Sequence, residues 1–152
     1  ALSAKQQGYD QVLWLDVNHD GIEEVGTMNV FWVFKNEIVT PALNGSILAG
    51  GMRDSVLQIL RSEGLTVAER KITISEVLQR QKAGELLEAF GTGTAAVISP
   101  IGELYFKGQS IVINQNKIGP LGQQLYTTIS GIQRGSIPDR FGWMKPLAKI
   151  VK

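Results

Sequence analysis

The chain has no cysteine and a single histidine, His19, in 152 residues. Without Cys there can be no disulfide, thiolate zinc site, iron–sulfur cluster or cysteine nucleophile. One His excludes paired-His metal sites of the H-E-x-x-H kind and leaves any hydrolytic triad resting on His19 alone. A dominant charge is also lacking: 15 Lys and Arg stand against 14 Asp and Glu, a net charge of +1. That balance predicts no strong attraction to nucleic acid or to a membrane surface. The charge is uneven, with 6 basic and 10 acidic residues in 1–76 and 9 and 4 in 77–152. The basic excess gathers at Arg134, Arg140, Lys145, Lys149 and Lys152. It is not interleaved with stackable aromatics, so it reads as a solvated surface. No apolar run is long enough to cross a bilayer and no N-terminal segment has the layout of a signal peptide, so a cytoplasmic location is expected. Any chemistry falls to carboxylates, amines or a bound cofactor.

What is present is an ordinary globular composition, 43% hydrophobic and 19% charged, of a length suited to one domain. Ala1–Gly8 reads as the end of a helix closed by Gly8, as though the chain starts inside an element. Gln11–Val17 and Glu23–Phe34 are rich in β-branched and aromatic residues and flank the turn signal Asn18-His19-Asp20-Gly21. With a turn at Lys35-Asn36, the strand Glu37–Thr40 and a stop at Pro41, this predicts a three-strand antiparallel meander. A small, Gly-rich stretch, Leu43–Gly51, leads into a helix over Met52–Ser62 that ends at Gly64. Leu65–Ile72 alternates as a strand, and Thr73-Ile-Ser-Glu76 is a capping box for a helix running to about Lys82. Glu85–Phe90 reads as an apolar turn or short helix. Thr94–Ser99, Leu104–Lys107 and Ser110–Ile113 read as strands, Leu121–Ile132 as the last helix and Pro138–Pro146 as an aromatic-containing tail. The fold class is mixed α/β (α+β), an antiparallel meander followed by strands with inserted helices.

Three local patterns bear on chemistry. Asp16-x-Asn18-x-Asp20-Gly21 begins like a calcium loop, but its twelfth position is Thr27 where a bidentate Glu is needed, and its flanks are strands; a hairpin turn with an exposed His19 is the better reading. Gly91-Thr-Gly93-Thr-Ala-Ala96 resembles a dinucleotide fingerprint but opens a strand rather than a helix, so a Rossmann site is rejected, while a structural turn or a phosphate-holding turn remains. Gly50 and Gly51 precede a helix start, where free N–H groups and the positive end of the dipole favour an anion. In addition, strand alternation puts Glu23 and Glu24 on opposite faces, so one carboxylate is expected to turn inward and pair with a cation, such as a protonated heterocyclic nitrogen.

These pieces meet in one resemblance. Tyr9–Asp16 (YDQVLWLD), Glu23–Asn29 (EEVGTMN), Arg53–Gln58 (RDSVLQ), Glu69–Ile74 (ERKITI), Glu88–Pro100 (EAFGTGTAAVISP) and Gly131–Trp143 (GIQRGSIPDRFGW) resemble, in order and over nearly the whole chain, segments of the fold-type IV pyridoxal 5′-phosphate (PLP) aminotransferases. The closest resemblance is to the branched-chain amino acid aminotransferases. Position by position it implies that Glu24 bonds the cofactor's ring nitrogen, Thr27 lies beside the cofactor and Leu48 packs on its ring. It further implies that Gly50 belongs to the phosphate loop, that the amides of Gly51 and Met52 and the hydroxyl of Thr94 hold the phosphate, and that Ala95 and Ala96 turn N–H groups toward the substrate carboxylate. No metal is implied. Ala49, Gly51 and Met52 depart from the family's usual Pro, aliphatic residue and Thr or Val; a Gly at 51 makes the loop more flexible.

The resemblance makes residues 1–152 the larger, C-terminal PLP-binding domain, with the small N-terminal domain and the Schiff-base lysine expected upstream of Ala1. No catalytic residue is then expected within the chain, and the chain alone is expected to be inactive. The implied activity is amino transfer between L-Leu, L-Ile or L-Val and 2-oxoglutarate. The implied partners are the amino acid and 2-oxo acid substrates, the enzyme's N-terminal half and a second copy in a homodimer. The alternatives are a D-amino acid aminotransferase or aminodeoxychorismate lyase of the same fold, or a catalytically dead isolated domain.

Overall fold

The computed structural model describes residues 2–145. Pro146, Lys149 and Lys152, part of the expected tail and basic cluster, lie outside the described residues. After a short helix α1 (Leu2–Gln6), strands β1 (Leu13–Leu15), β2 (Ile22–Val25), β3 (Met28–Phe34) and β4 (Ile38–Thr40) follow one another. Helix α2 (Gly51–Ser62), strand β5 (Val67–Glu69) and helix α3 (Ile74–Lys82) come next, then β6 (Leu86–Gly93), β7 (Val97–Pro100), β8 (Glu103–Phe106), β9 (Gln109–Val112) and helix α4 (Pro120–Arg134).

β3 is the spine of a seven-stranded sheet. β6 pairs along its length from Asn29↔Thr92 to Phe34↔Leu86. The other edge is shared, with β2 pairing at its start (Glu24↔Asn29) and β4 near its end (Trp32↔Val39). All pairings are antiparallel except that of β4 with β5. β8 and β9 form a separate hairpin.

Both faces of β3 are covered, which is why its sequence, Asn-Val-Phe-Trp-Val-Phe, is a continuous apolar run rather than an alternation. Val30, Trp32 and Phe34 pack on one face with Ile74 and Val77 of α3. Phe31 and Val33 pack on the other with Val56, Ile59 and Leu60 of α2 and Leu125 and Ile129 of α4. Phe31 stacks on its cross-strand partner Phe90 at 5.4 Å.

The sequence reading is corrected in four places. Glu23–Phe34 is two strands, so the meander has four: Gly26, at φ 58°, takes the first central position of a two-residue turn between the paired Val25 and Met28. The strand expected over Leu65–Ile72 shrinks to Val67–Glu69, because its partner β4 ends at Thr40, before Pro41. Glu85–Phe90 is no helix but the start of the long central strand β6, selected by pairing with β3 rather than by propensity. Thr94–Ala96 form a turn, so the strand expected from Thr94 starts at Val97. The capping box is as expected, with Glu76 N donating to Thr73 Oγ1 at 3.0 Å.

Candidate functional site

The sheet register sets Glu24, Asn29 and Thr92 side by side on β2, β3 and β6. Directly paired residues of antiparallel strands share a face, and for this row it is the face that carries α2 and α4. Above the row lie the loop running from β4 to α2 and, beyond Gly93, the turn between β6 and β7. The β2–β3 turn adjoins the opposite face of β6: a Cβ on Gly93 would meet Met28 Cγ at 3.1 Å and the Thr27 carbonyl oxygen at 3.9 Å. The structure thus brings Glu24, Leu48 and Gly50 together around Asn29, with Gly51 and Met52 following in the chain, whereas Thr27 lies in the β2–β3 turn and Thr94, Ala95 and Ala96 lie in the β6–β7 turn beyond the row.

Neither Glu23 nor Glu24 is buried. Both are half-exposed, so the expected inward carboxylate is instead one at the rim. The reason is that both reach the same loop: Ser46 Oγ donates to Glu23 Oε1 (2.6 Å), and Leu48 N donates to Glu24 Oε1 (3.0 Å). Among the described residues, Glu24 Oε2 takes no hydrogen bond. The Leu48 side chain is 69% exposed although its backbone is held. Thr27, Ala49, Gly51, Thr94 and Ala95 are exposed, while Gly50, Met52 and Ala96 are half-buried.

α2 begins at Gly51 with Gly50 as its N-cap, and no side chain caps it. Its first N–H groups have no intrahelical acceptors. A Cβ on Gly51 would meet nothing within 4 Å, so the space beside the first residue of the helix is open. Asp54 in the first turn is turned aside, accepting from Gln58 Nε2 at 2.6 Å. α4 contrasts with it: the buried Glu88 accepts from Leu121 N and Gly122 N, both at 3.0 Å, and closes that helix end. Buried Arg53 anchors α2 from below, donating to the Pro41 carbonyl (3.0 Å) and pairing with Glu69 (2.8 Å). The Arg53 guanidinium, with that of Arg61, holds the Glu69 carboxyl below the usual carboxylate range.

The β6–β7 turn carries backbone strain. Val97 adopts φ 58°, a left-handed conformation costly for a β-branched residue. Its carbonyl is held from beneath by the buried Thr92, whose Oγ1 donates to it at 2.7 Å.

The decoy motifs have structural explanations. Asp16 Oδ1 accepts from the backbone N–H groups of Asn18, Asp20 and Gly21, and Oδ2 pairs with Lys71 at 2.9 Å. The turn is thus built around Asp16, whose carboxyl Lys71 draws down to about 2, and His19 is an exposed turn residue. Gly91 and Gly93 face away from the row: Cβ atoms there would press on Val25 and on Met28, so packing explains the Gly-Thr-Gly spacing. A cavity of about 360 Å³ between β1 and the β8–β9 hairpin, lined by Leu13, Ile74, Leu104 and Phe106 among others, touches none of the nine candidate residues.

Sequence reasoning passed over Asn29, Glu88 and Thr92 as functional positions. Each is a buried polar residue in a strand that is otherwise apolar, and that is the signal that could have found them.

Residues 1–104 match the family profile described as amino-transferase class IV. The chain is 52% identical over 150 residues to the branched-chain-amino-acid aminotransferase 2 of Bacillus subtilis (strain 168), an alignment covering 98% of this chain and 41% of that protein. It superposes with a TM-score of 0.75 and 28% identity on the branched-chain amino acid aminotransferase from Escherichia coli, covering 93% of this chain and 44% of that one. For the PLP-form (holo-form) of the branched-chain amino acid aminotransferase from Thermobaculum terrenum, the TM-score is 0.68 at 28% identity, covering 88% and 40%. The chain spans about two fifths of the length of the curated relatives it matches.

Proposed function

The chain belongs to the amino-transferase class IV family, and from that premise we propose that it supplies the PLP-binding part of a branched-chain amino acid aminotransferase. The residues fit such a cofactor. An uncapped helix N-terminus opening on free space at Gly51 suits a phosphate. A rim carboxylate with one oxygen spare, at Glu24, suits a protonated ring nitrogen. The observation that carries the reading is that both belong to one unit: the Leu48–Met52 segment bonds Glu24 at one end and starts α2 at the other.

When bound, PLP supplies an electron sink for the substrate carbon that bears the amino group. The chain's residues then have distinct tasks. Glu24 keeps the proton on the ring nitrogen. The N–H groups of Gly51 and Met52 and the Thr94 hydroxyl bind the phosphate and so fix the ring's orientation. Leu48 would pack against the ring and Thr27 would lie beside the cofactor. The N–H groups of Ala95 and Ala96 bind the substrate carboxylate.

In this reading residues 1–152 are the larger domain, and a lysine on an upstream segment provides the covalent anchor and moves the substrate proton. The substrates are L-Leu, L-Ile or L-Val with 2-oxoglutarate, and the working form is a cytoplasmic homodimer. No helix among the described residues is long and apolar enough to cross a membrane.

The test is transamination by the polypeptide that joins this chain to its lysine-bearing segment. L-leucine turnover with 2-oxoglutarate is expected; D-alanine turnover without L-leucine turnover overturns the substrate assignment. For the chain alone, borohydride treatment in the presence of PLP is expected to leave no specific lysine adduct by mass spectrometry. Stoichiometric reduction onto one of its own lysines would contradict the missing anchor.

A further inference from the structure

We infer that Asn29 is the positioning residue that holds the ring-binding and phosphate-binding parts of the site at a fixed separation. The inference rests on the PLP reading above. Asn29 is 5% exposed and occupies the middle of the row Glu24–Asn29–Thr92. Its Nδ2 donates to the Leu48 carbonyl at 2.8 Å. The same carbonyl accepts from Gly50 N at 2.9 Å, while Leu48 N donates to Glu24. Leu48 is thus gripped at both its N–H and its C=O by two side chains from neighbouring strands. That grip fixes the backbone of a residue that is 69% exposed.

Asn29 also fixes the helix start. A Cβ on Gly50 would fall 2.3 Å from Asn29 Oδ1, so the N-cap backbone lies directly against this side chain. Gly50 itself has an ordinary extended conformation (φ −68°, ψ 136°), so the glycine is required by Asn29 and not by backbone strain. Asn29 therefore decides where the N–H groups of Gly51 and Met52 point relative to Glu24. It touches neither cofactor nor substrate in this reading and acts through the loop. Thr92 does the matching task for the opposite turn through the Val97 carbonyl.

The test uses the chain with pyridoxine 5′-phosphate and pyridoxine, which carry no aldehyde and cannot react with surface lysines. Asn29→Asp keeps the shape but replaces the donor with an acceptor facing a carbonyl. Gly50→Ala perturbs the same contact from the loop side and guards against a variant that fails to fold. For both variants we expect affinity for pyridoxine 5′-phosphate to fall about tenfold, equivalent to about 1.4 kcal/mol. Affinity for pyridoxine should fall less than about threefold, because the phosphate amides are what the loss of Asn29 misplaces. Backbone hydrogen exchange at residues 48–52 should quicken while the β3–β6 ladder stays protected.

Equal losses for the two ligands, or no loss, overturn the positioning role and leave Asn29 a purely structural residue. Unchanged exchange at residues 48–52 overturns the clamp itself. Failure of the unsubstituted chain to bind pyridoxine 5′-phosphate overturns the cofactor reading, and the positioning role with it, whereas the clamp is then decided by the exchange result.

Discussion

Substituting Ala for Gly119 is expected to destabilise the chain strongly while Glu88 is present and hardly at all once Glu88 is removed. Gly119 is the N-cap of α4 at φ −83° and ψ 164°, a conformation any residue adopts. Its lack of a side chain matters for another reason: a Cβ there would lie 1.8 Å from Glu88 Cδ and 2.2 Å from Oε2. No small adjustment removes such an overlap, so the carboxylate must leave. It then gives up two charge-assisted hydrogen bonds, from Leu121 N and Gly122 N. Each is worth about 1.5–3 kcal/mol, partly offset by the hydration the carboxylate regains. The net loss is about 2–4 kcal/mol for Gly119→Ala, and a similar loss is expected for Glu88→Ala. In the Glu88→Ala background the added methyl group should change stability by less than about 0.5 kcal/mol, giving a coupling of at least about 1.5 kcal/mol. Urea denaturation followed by far-ultraviolet circular dichroism on the four chains measures this cycle. Additivity to within about 0.5 kcal/mol would refute the account of Glu88 as the cap of α4.

Acid should unfold the chain progressively. The Asp16 carboxyl is held at about 2 by Lys71, and that of Glu69 is lowered by Arg53 and then Arg61. Burial alone would raise the Glu37 carboxyl, but Arg70 and Arg80 outweigh it and hold it low. Folded values below the unfolded value of about 4 mean that this stability is present above that pH and is lost as pH falls through the folded values. Thermal midpoints measured from pH 7 down to pH 2 should therefore decline below about pH 5, and a flat profile would contradict these pairings. At the β2–β3 turn, Gly26→Ala should lower the urea midpoint by the equivalent of about 1–3 kcal/mol, since φ is 58° and a Cβ would meet Gln11 Oε1 at 2.2 Å. A loss under about 0.5 kcal/mol would mean that the turn is not of this type.

The helices were legible in the sequence because their signals are local. The Thr73 capping box and the apolar spacing through Met52–Ser62 both lie within a turn or two of the element they define. The central strand β6 was not, although its partner β3 was. Leu86–Phe90 is composed of residues that favour a helix as readily as a strand, and only pairing with β3 decides between them. The Gly26 turn carried its signal, a lone glycine in an apolar run, but the surrounding β-branched and aromatic residues outweighed it. At the site, the motif residues were legible as a resemblance, but what holds them was not. Asn29 reaches Leu48 and Glu88 reaches Leu121 across 19 and 33 positions, and no local pattern encodes either contact.

The treatment of the two helix starts on one sheet face explains why the candidate site has both an anionic and a cationic end. A helix N-terminus must find acceptors in solvent, a side chain or a ligand. α4 finds them in Glu88, and its first turn is closed to anything else. α2 starts beside Glu24, yet Glu24 does not serve it: that carboxylate is spent on Leu48 N, one turn of loop earlier. Asn29 directs its donor to the Leu48 carbonyl and stands against Gly50. The effect is to separate the charges. The positive end of α2 remains open at Gly51 and the negative carboxylate remains open at Oε2, joined by a five-residue segment gripped from the sheet. A ligand with a phosphate at one end and a protonated ring nitrogen at the other satisfies both ends at once. A simple anion satisfies only the first and would sit in the field of Glu24. On the proposed PLP reading, the chain is expected to bind pyridoxine 5′-phosphate in preference to inorganic phosphate, and Asn29→Asp is expected to narrow that preference.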